Sequence, residues 1–225
     1  MSIPVLAIDG PSGSGKGTVA RRLASALDWH LLDSGALYRL VGFAAEQAGI
    51  TAEQPAELAE LSRSLNIRFD STPDGDELIR LDGQDVTGEI RTEAAGERAS
   101  KVAAVPAVRE ALMDLQLGFR RAPGLVADGR DMGTNVFPDA ALKVFLTASA
   151  EERARRRHKQ LKLKGIDVNL AALSRDIEAR DQRDSQRSVA PLLPADDARL
   201  LDSSDLSIES VTETVLSWAR ETWNS

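Results

Sequence analysis

The stretch "IDGPSGSGKGT", residues 8–18, decides how the chain is read. Four glycines and a lysine follow the apolar run IPVLAI, residues 3–8. They precede GTVARRLASAL, residues 17–27, in which Val19, Leu23, Ala26 and Leu27 recur at helical spacing. A branched apolar run reads as a strand buried on both faces, so the order is strand, glycine-rich turn, helix. In that setting glycines let backbone N–H groups turn toward a phosphate, and the helix N-terminus adds positive potential. Lys16 then supplies a mobile cation for the outer phosphates. Gly10, Gly15 and Lys16 fit G-x-x-x-x-G-K. Residue 17, however, is Gly17 where Ser or Thr is the rule, and the hydroxyl comes one residue later as Thr18.

Working outward, WHLLD (29–33) predicts a second strand, and residues 34–49 a helix closed by Gly49. Residues 65–92 alternate strand-like pieces with turn signals at Pro73, Asp74-Gly75 and Asp82-Gly83, the pattern of a small antiparallel insert. Helices are predicted over 93–105 and, opened by Pro106, over 107–121. Strands follow at 124–131 and 141–148, and Ser149 with Glu152 predicts a capping box for a basic helix. A polar helix over 169–188, a fifth strand in ARLLDSS (198–204) and an amphipathic helix over 207–223 complete the chain. Strands alternating with helices predict an α/β fold with a parallel sheet between helical layers.

The 225 residues carry a net charge of −7, which disfavours non-specific binding to nucleic acid. No apolar run is long enough for a membrane span, and the first residues lack a secretory pattern. Without cysteine there are no disulfides or thiolate metal sites, a composition compatible with a cytoplasmic location. Residues 151–164, EERARRRHKQLKLK, nevertheless concentrate seven Lys or Arg against two Glu, which suggests small anionic ligands. His30 and His158 have no metal-ligand spacing.

An anionic phosphoryl acceptor would need arginines of its own, away from the loop. Arg39, Arg109, Arg130, Arg180, Arg183 and Arg187 are available. Arg180 and Arg187, seven apart, are expected on one helix face with Asp184 at i+4 from Arg180; the alternative is a solvated, salt-bridged face. Asp128, at the end of LVAD, is a candidate acid for a hydrated Mg²⁺, the alternative being a strand-end cap. The Asn/Thr-Lys-x-Asp stretch with which GTPases read guanine is absent.

The G-K-G-T ending resembles that of nucleoside monophosphate kinases. GPSGSGKGT, DSGALYR, VADGRDMGT with FPDA, and RDQRDSQRSVAPL with LDSS together resemble the bacterial cytidylate kinase, or (d)CMP kinase, family from Ile3 to about Trp218. The resemblance implies a single P-loop kinase domain with a five-stranded parallel sheet flanked by helices. Its core would be residues 1–62 and 93–225, with a small antiparallel acceptor-binding insert at about 63–92 and a helical lid at about 150–168. It implies phosphoryl transfer from ATP to CMP or dCMP, Mg²⁺ held by ATP and water with no direct protein ligand, and a cytoplasmic monomer with no nucleic-acid or membrane partner. Gly10, Pro11, Ser12, Gly13, Ser14, Gly15, Lys16, Gly17 and Thr18 would hold the ATP phosphates, with Arg153 and Arg157 from the lid. Spacing alone does not divide Arg153, Arg155, Arg156 and Arg157 between inner and outer faces. Ser34, Tyr38 and Arg39 would line the acceptor pocket, Tyr38 near the base and Arg39 on the phosphate. Ser100, Arg109 and Asp131 would face cytosine, Arg130 and Arg187 its phosphate, and Arg180 and Asp184 the sugar. Lys16, Arg130, Arg187 and Asp128 would carry the catalytic duties. A kinase acting on UMP or AMP, an ATP-binding regulator that transfers nothing, and an RNA-binding protein using the basic helix are the competing readings.

Overall fold

The fold is taken from a computed structural model, in which residues 3–72, 77–163 and 165–223 are described. Pro73, Asp74-Gly75 and Lys164 lie outside the described residues. The chain divides into two compact units, Met1–Asp33 with Gln116–Ser225, and Ser34–Leu115.

The first unit is built on five parallel strands: β1 (Val5–Asp9), β2 (His30–Asp33), and, farther along, Leu125–Gly129, Leu142–Thr147 and Arg199–Asp202. With the second unit's strands counted, these last three are β6, β7 and β8. The order β2-β6-β1-β7-β8 puts the strand that feeds the glycine loop at the centre. Helices α1 (Lys16–Leu27) and α9 (Ile208–Trp223) pack against this sheet. Leu6 and Ile8 of β1, Val126 of β6 and Val144 and Leu146 of β7 alternate onto one face. There they bury against Val19 and Leu23 of α1 and Val211 and Val215 of α9. Val5, Ala7, Leu125 and Ala127 point to the other face and are equally buried. Both faces are therefore covered, as an apolar parallel strand requires. The tryptophans belong to packing: Trp29 and Trp223 meet edge to face, centroids 4.8 Å apart, and Arg199 lies over the Trp218 ring.

The second unit holds α2 (Ser34–Ala48), α3 (Pro55–Ser64), the antiparallel sheet β3 (Ile67–Ser71), β4 (Glu77–Leu81) and β5 (Gln84–Asp85), then α4 (Thr87–Ile90), α5 (Glu93–Ala103) and most of α6 (Pro106–Leu117). The expected Asp82-Gly83 turn joins β4 to β5, both residues at positive φ, as a two-residue hairpin requires. The sequence reading missed α3 and α4. Pro55 opens α3, whose Leu58, Ala59 and Ser62 are buried.

Helices α7 (Ala150–Leu163) and α8 (Leu170–Gln186) follow β7 in the first unit and pack together. Two local expectations need correcting. Only half of the capping box forms: Ser149 Oγ accepts the Glu152 N–H at 3.1 Å, but Glu152 pairs with Arg155 and Arg156, and the Ser149 N–H goes to Ser204 Oγ. Arg187 is not on a helix face with Arg180. It is the first extended residue after α8, and Leu192 N–H folds back onto the Asp184 carbonyl.

At Gly10 the loop leaves β1 with a φ of 152°, and a Cβ there would sit 2.0 Å from the Leu146 carbonyl oxygen of β7. Gly10→Ala is therefore expected to cost about 3 kcal/mol or more in urea unfolding. Gly49→Ala, at φ 67° but with nothing within 4 Å, should cost only about 1 kcal/mol. Equal costs would show that β7 yields freely.

Candidate functional site

The ends of β1, β2 and β6 bring one lysine, several carboxylates and an arginine together beside the glycine loop. Lys16, the first residue of α1, is buried, and its Nζ donates to the Pro11 carbonyl at 3.0 Å. Burial, reinforced by the Arg130 guanidinium, lowers its ammonium to about 7, against the pull of Asp128. Asp128 and Asp33 are register partners in β6 and β2. Burial raises the Asp128 carboxyl to about 6, against the favourable charge of Lys16. A Cβ on Gly17 would lie 3.1 Å from Asp128 Oδ2. Glycine at 17 thus lets this carboxylate approach the start of α1 where the general loop pattern has a hydroxyl.

At the loop, two buried side-chain oxygens have no hydrogen-bond partner among the described residues: Ser14 Oγ and, beside it, Asp128 Oδ1. Orphaned buried oxygens are costly and mark a place for ligand, metal-bound water or both. The residues present thus fit a nucleoside triphosphate with a hydrated divalent ion, Asp128 being the carboxylate placed to hold its water.

The loop is braced from behind by α7. Arg153, 4% exposed, donates to the Ser12 carbonyl at 3.0 Å and to the Ala148 carbonyl, and pairs with Asp181 of α8. Arg156 approaches the Ser14 carbonyl and Ser203 Oγ. The helix thus turns residues 153 and 156, three apart, toward the loop. Arg155 faces out to Glu151 and Glu152, and Arg157 Nη1 bonds Gln160. Of the two lid arginines expected at ATP, Arg153 lies against the loop. Arg156, not expected there, does so too.

The turn after β6 carries a second group. Arg130 Nε pairs with Asp184 of α8 at 3.2 Å, and Asp184 is nearly fully buried. Arg187 Nη2 lies 3.6 Å from Asp131 Oδ1, Asp131 being 2% exposed. Asp131 Oδ2 also accepts from Asn135. Residues 130, 131, 184 and 187 therefore assemble as the motifs suggest, with Asp184 turned to Arg130; Arg180, on α8, is close enough to Lys16 to disfavour its charge. Missed by sequence reasoning was Asp9. Its two oxygens accept the N–H groups of Met132 and Gly133 at 2.8 Å each. Burial pushes its carboxyl up to about 7, opposed by these two bonds. An acid ending an otherwise apolar strand was the available signal.

In the second unit, Ser34 and Tyr38 lie one turn apart on α2, both buried. Arg109 of α6, 4% exposed, places its guanidinium 5.6 Å from the Tyr38 ring centroid, a cation–π contact. Ser100 is buried on α5. Arg39 Nη1 donates to the carbonyls of Ile90 and Thr92.

Comparison with known proteins adds the following. A family model described as cytidylate kinase matches residues 6–221. A curated cytidylate kinase from Pseudomonas paraeruginosa is 61% identical over 216 residues, covering 96% of this chain and 94% of its own. One from Stutzerimonas stutzeri is 60% identical with the same coverage. Among solved structures, a shikimate kinase from Acinetobacter baumannii, in complex with shikimate, is 15% identical with a TM-score of 0.45, covering 99% of this chain and 96% of its own.

The low resting pKa of Lys16 has a measurable sign. At pH 7.5 most of its population is neutral, and a bound polyphosphate raises its pKa, so binding should take up roughly half a proton or more. Asp128, already ionised at that pH, contributes little. Calorimetry of Mg·ATP binding in buffers of different ionisation enthalpy should show this uptake, and Lys16→Met should abolish it. A binding enthalpy independent of buffer would show that Lys16 is already charged.

Proposed function

The chain belongs to the cytidylate kinase family, and from that premise we propose that it transfers the γ-phosphoryl group of ATP to CMP or dCMP, releasing ADP and CDP or dCDP. The observation that carries the reading is the buried cluster of Lys16, Asp128 and Arg130 at the end of the sheet, beside the orphaned oxygens of Ser14 and Asp128. Such a cluster, with two cationic side chains beside unpartnered oxygens, suits a polyanion.

The chemistry needs no covalent intermediate and no general base. An oxygen of the acceptor phosphate is already anionic and attacks the γ-phosphorus as the bond to the β–γ bridging oxygen breaks. Gly10, Pro11, Ser12, Gly13, Ser14, Gly15, Gly17 and Thr18 hold the donor phosphates through backbone and hydroxyl groups, and Lys16 offsets charge on the transferred group. Mg²⁺, when bound with ATP, offsets further charge on those phosphates, with Asp128 holding its water. Arg130 and Arg187 neutralise the acceptor phosphate. Their present carboxylate partners, Asp184 and Asp131, occupy only some of their donors. Arg180 and Asp184 take the sugar. Asp184 bonding a 3′-hydroxyl would admit both CMP and dCMP.

Base choice is given to Asp131. Cytosine offers an N4 amino donor, which a carboxylate can accept. Uracil would oppose its O4 to the Asp131 carboxylate, acceptor to acceptor. The reading extends to a cytoplasmic protein acting on free nucleotides. Among the described residues no helix is long and apolar enough to cross a membrane.

The test is acceptor-dependent ADP release from Mg·ATP with CMP, dCMP, UMP and AMP side by side. CMP and dCMP should lead UMP by at least about tenfold, since each mismatched buried polar group costs about 1–3 kcal/mol. Turnover led by another acceptor would sink the base assignment, and ATP binding without acceptor-dependent turnover would sink the kinase reading. Lys16→Ala should lower kcat by about a hundredfold or more while the fold melts normally. Asp131→Ala should raise UMP relative to CMP; an unchanged ratio would remove Asp131 from base reading.

A further inference from the structure

We propose that Asp9 is a positioning residue for acceptor-base selection, because it caps the turn that Asp131 would otherwise cap itself. The inference rests on the base-reading role given to Asp131 above. After β6 the chain runs through Arg130 and Asp131 into a single π-helical turn, Met132–Val136. Asp131 stands at the N-cap of that turn, and aspartate there ordinarily folds its carboxylate onto the first free N–H groups. Here it makes no such bond. Its carbonyl accepts from Asn135 and Val136 as an N-cap carbonyl should, but its carboxylate turns to Arg187 and to the Asn135 side chain.

The two N–H groups at the head of the turn are met by a carboxylate from another strand. Asp9 Oδ1 takes Met132 N–H and Oδ2 takes Gly133 N–H, both at 2.8 Å and both buried. Geometry fixes why Asp9 can do this. It ends β1 in register with Gly129, which ends β6, so its side chain stands level with the start of the turn. A Cβ on Gly133 would make ordinary contact with Asp9 Oδ2, 3.5 Å away, and would crowd only the Lys143 side chain, 3.1 Å from Cδ. One residue farther along β1 is Gly10, the start of the phosphate loop. The same strand end therefore anchors the donor loop through its backbone and the acceptor-reading turn through a side chain.

With Asp9 in place, the Asp131 carboxylate is not drawn onto the first N–H groups of the turn: Oδ1 faces Arg187 and Oδ2 accepts from the Asn135 side chain. Without it, the most economical repair is for Asp131 to cap its own turn, which withdraws the carboxylate from the base. Asp9→Asn is the minimal test: one amide oxygen still accepts, while the NH₂ group confronts the second N–H. The expected result is a fall in kcat/KM for CMP of about tenfold or more, carried mainly by KM. The CMP-to-UMP preference should contract with it, while the affinity for ATP, measured by titration, changes less than about threefold. Asp9→Asn added to Asp131→Ala should leave the CMP-to-UMP ratio where Asp131→Ala alone puts it.

Several outcomes would overturn the idea. Weaker ATP binding with the acceptor preference intact would assign Asp9 to the phosphate loop. A further shift in the ratio on the Asp131→Ala background would mean that Asp9 acts by another route. If Asp131→Ala alone leaves the ratio unchanged, the base-reading role has failed; if it changes the ratio and Asp9→Asn does not, the capping inference has failed. Should Asp9→Asn not fold, Asp9→Ser keeps one short acceptor at the strand end while removing the second, and is expected to contract the ratio in the same direction. An unaltered ratio in that variant, with Asp9→Asn unfolded, counts against the proposal.

Discussion

The structure of the first unit depends on how β1 ends. Its last residues are buried between β6 and β7, and at Gly10 the Leu146 carbonyl leaves no space for a side chain. The chain can only turn out of the sheet there as bare backbone. That turn delivers residues 11–15 as a loop whose Ser12 and Ser14 carbonyls are held by Arg153 and Arg156, and it starts α1 at Lys16. From this constraint follow the burial of the lysine, the close approach of Asp128 to Gly17 and the seat of Asp9 beside the turn after β6. A single crowded strand end sets the geometry of both the glycine loop and the turn after β6.

Charge explains the remainder. Isolated ions are costly to bury, and three of this unit's arginines are already provided with carboxylates: Arg130 with Asp184, Arg187 with Asp131 and Arg153 with Asp181. Each carboxylate resembles a phosphate oxygen pair in charge and shape. In the proposed reaction, an incoming phosphate would join Arg130 and Arg187 where carboxylates already hold them in extended, oriented conformations. Orientation before binding lowers the entropy lost on binding.

Much of this was legible in the residues. Apolar runs of four to six residues followed by glycine or acid announced the parallel strands, because a strand covered on both faces must be apolar throughout. The Asp82-Gly83 turn marked its hairpin, because few residues tolerate two successive positive φ values. The gathering of Arg130, Asp131, Asp184 and Arg187 came from motif resemblance, and periodicity misplaced Arg187. A helical wheel carries the pattern past residue 186, whereas the chain extends there and returns through Ala190 to Leu192. Asp9 was not legible. Its partners are 123 and 124 positions away in sequence and are backbone N–H groups, which no residue pattern encodes. The inward pair Arg153 and Arg156 also required the tertiary structure, since four near-consecutive arginines leave the facing side undetermined.

Ser203, just past β8, carries a consequence for the order in which the molecule is completed. Its Oγ lies 3.2 Å from the Ser14 carbonyl and 2.9 Å from the Thr147 carbonyl, and Arg156 reaches it from α7. A loop made within the first twenty residues is thus clasped by one made after two hundred. During synthesis the glycine loop leaves the ribosome long before its clasp exists. Until residues 125–129 are made, β1 and β2 have no common neighbour to pair with, and the clasp on the loop comes only after β8, the last strand, has been added beside β7.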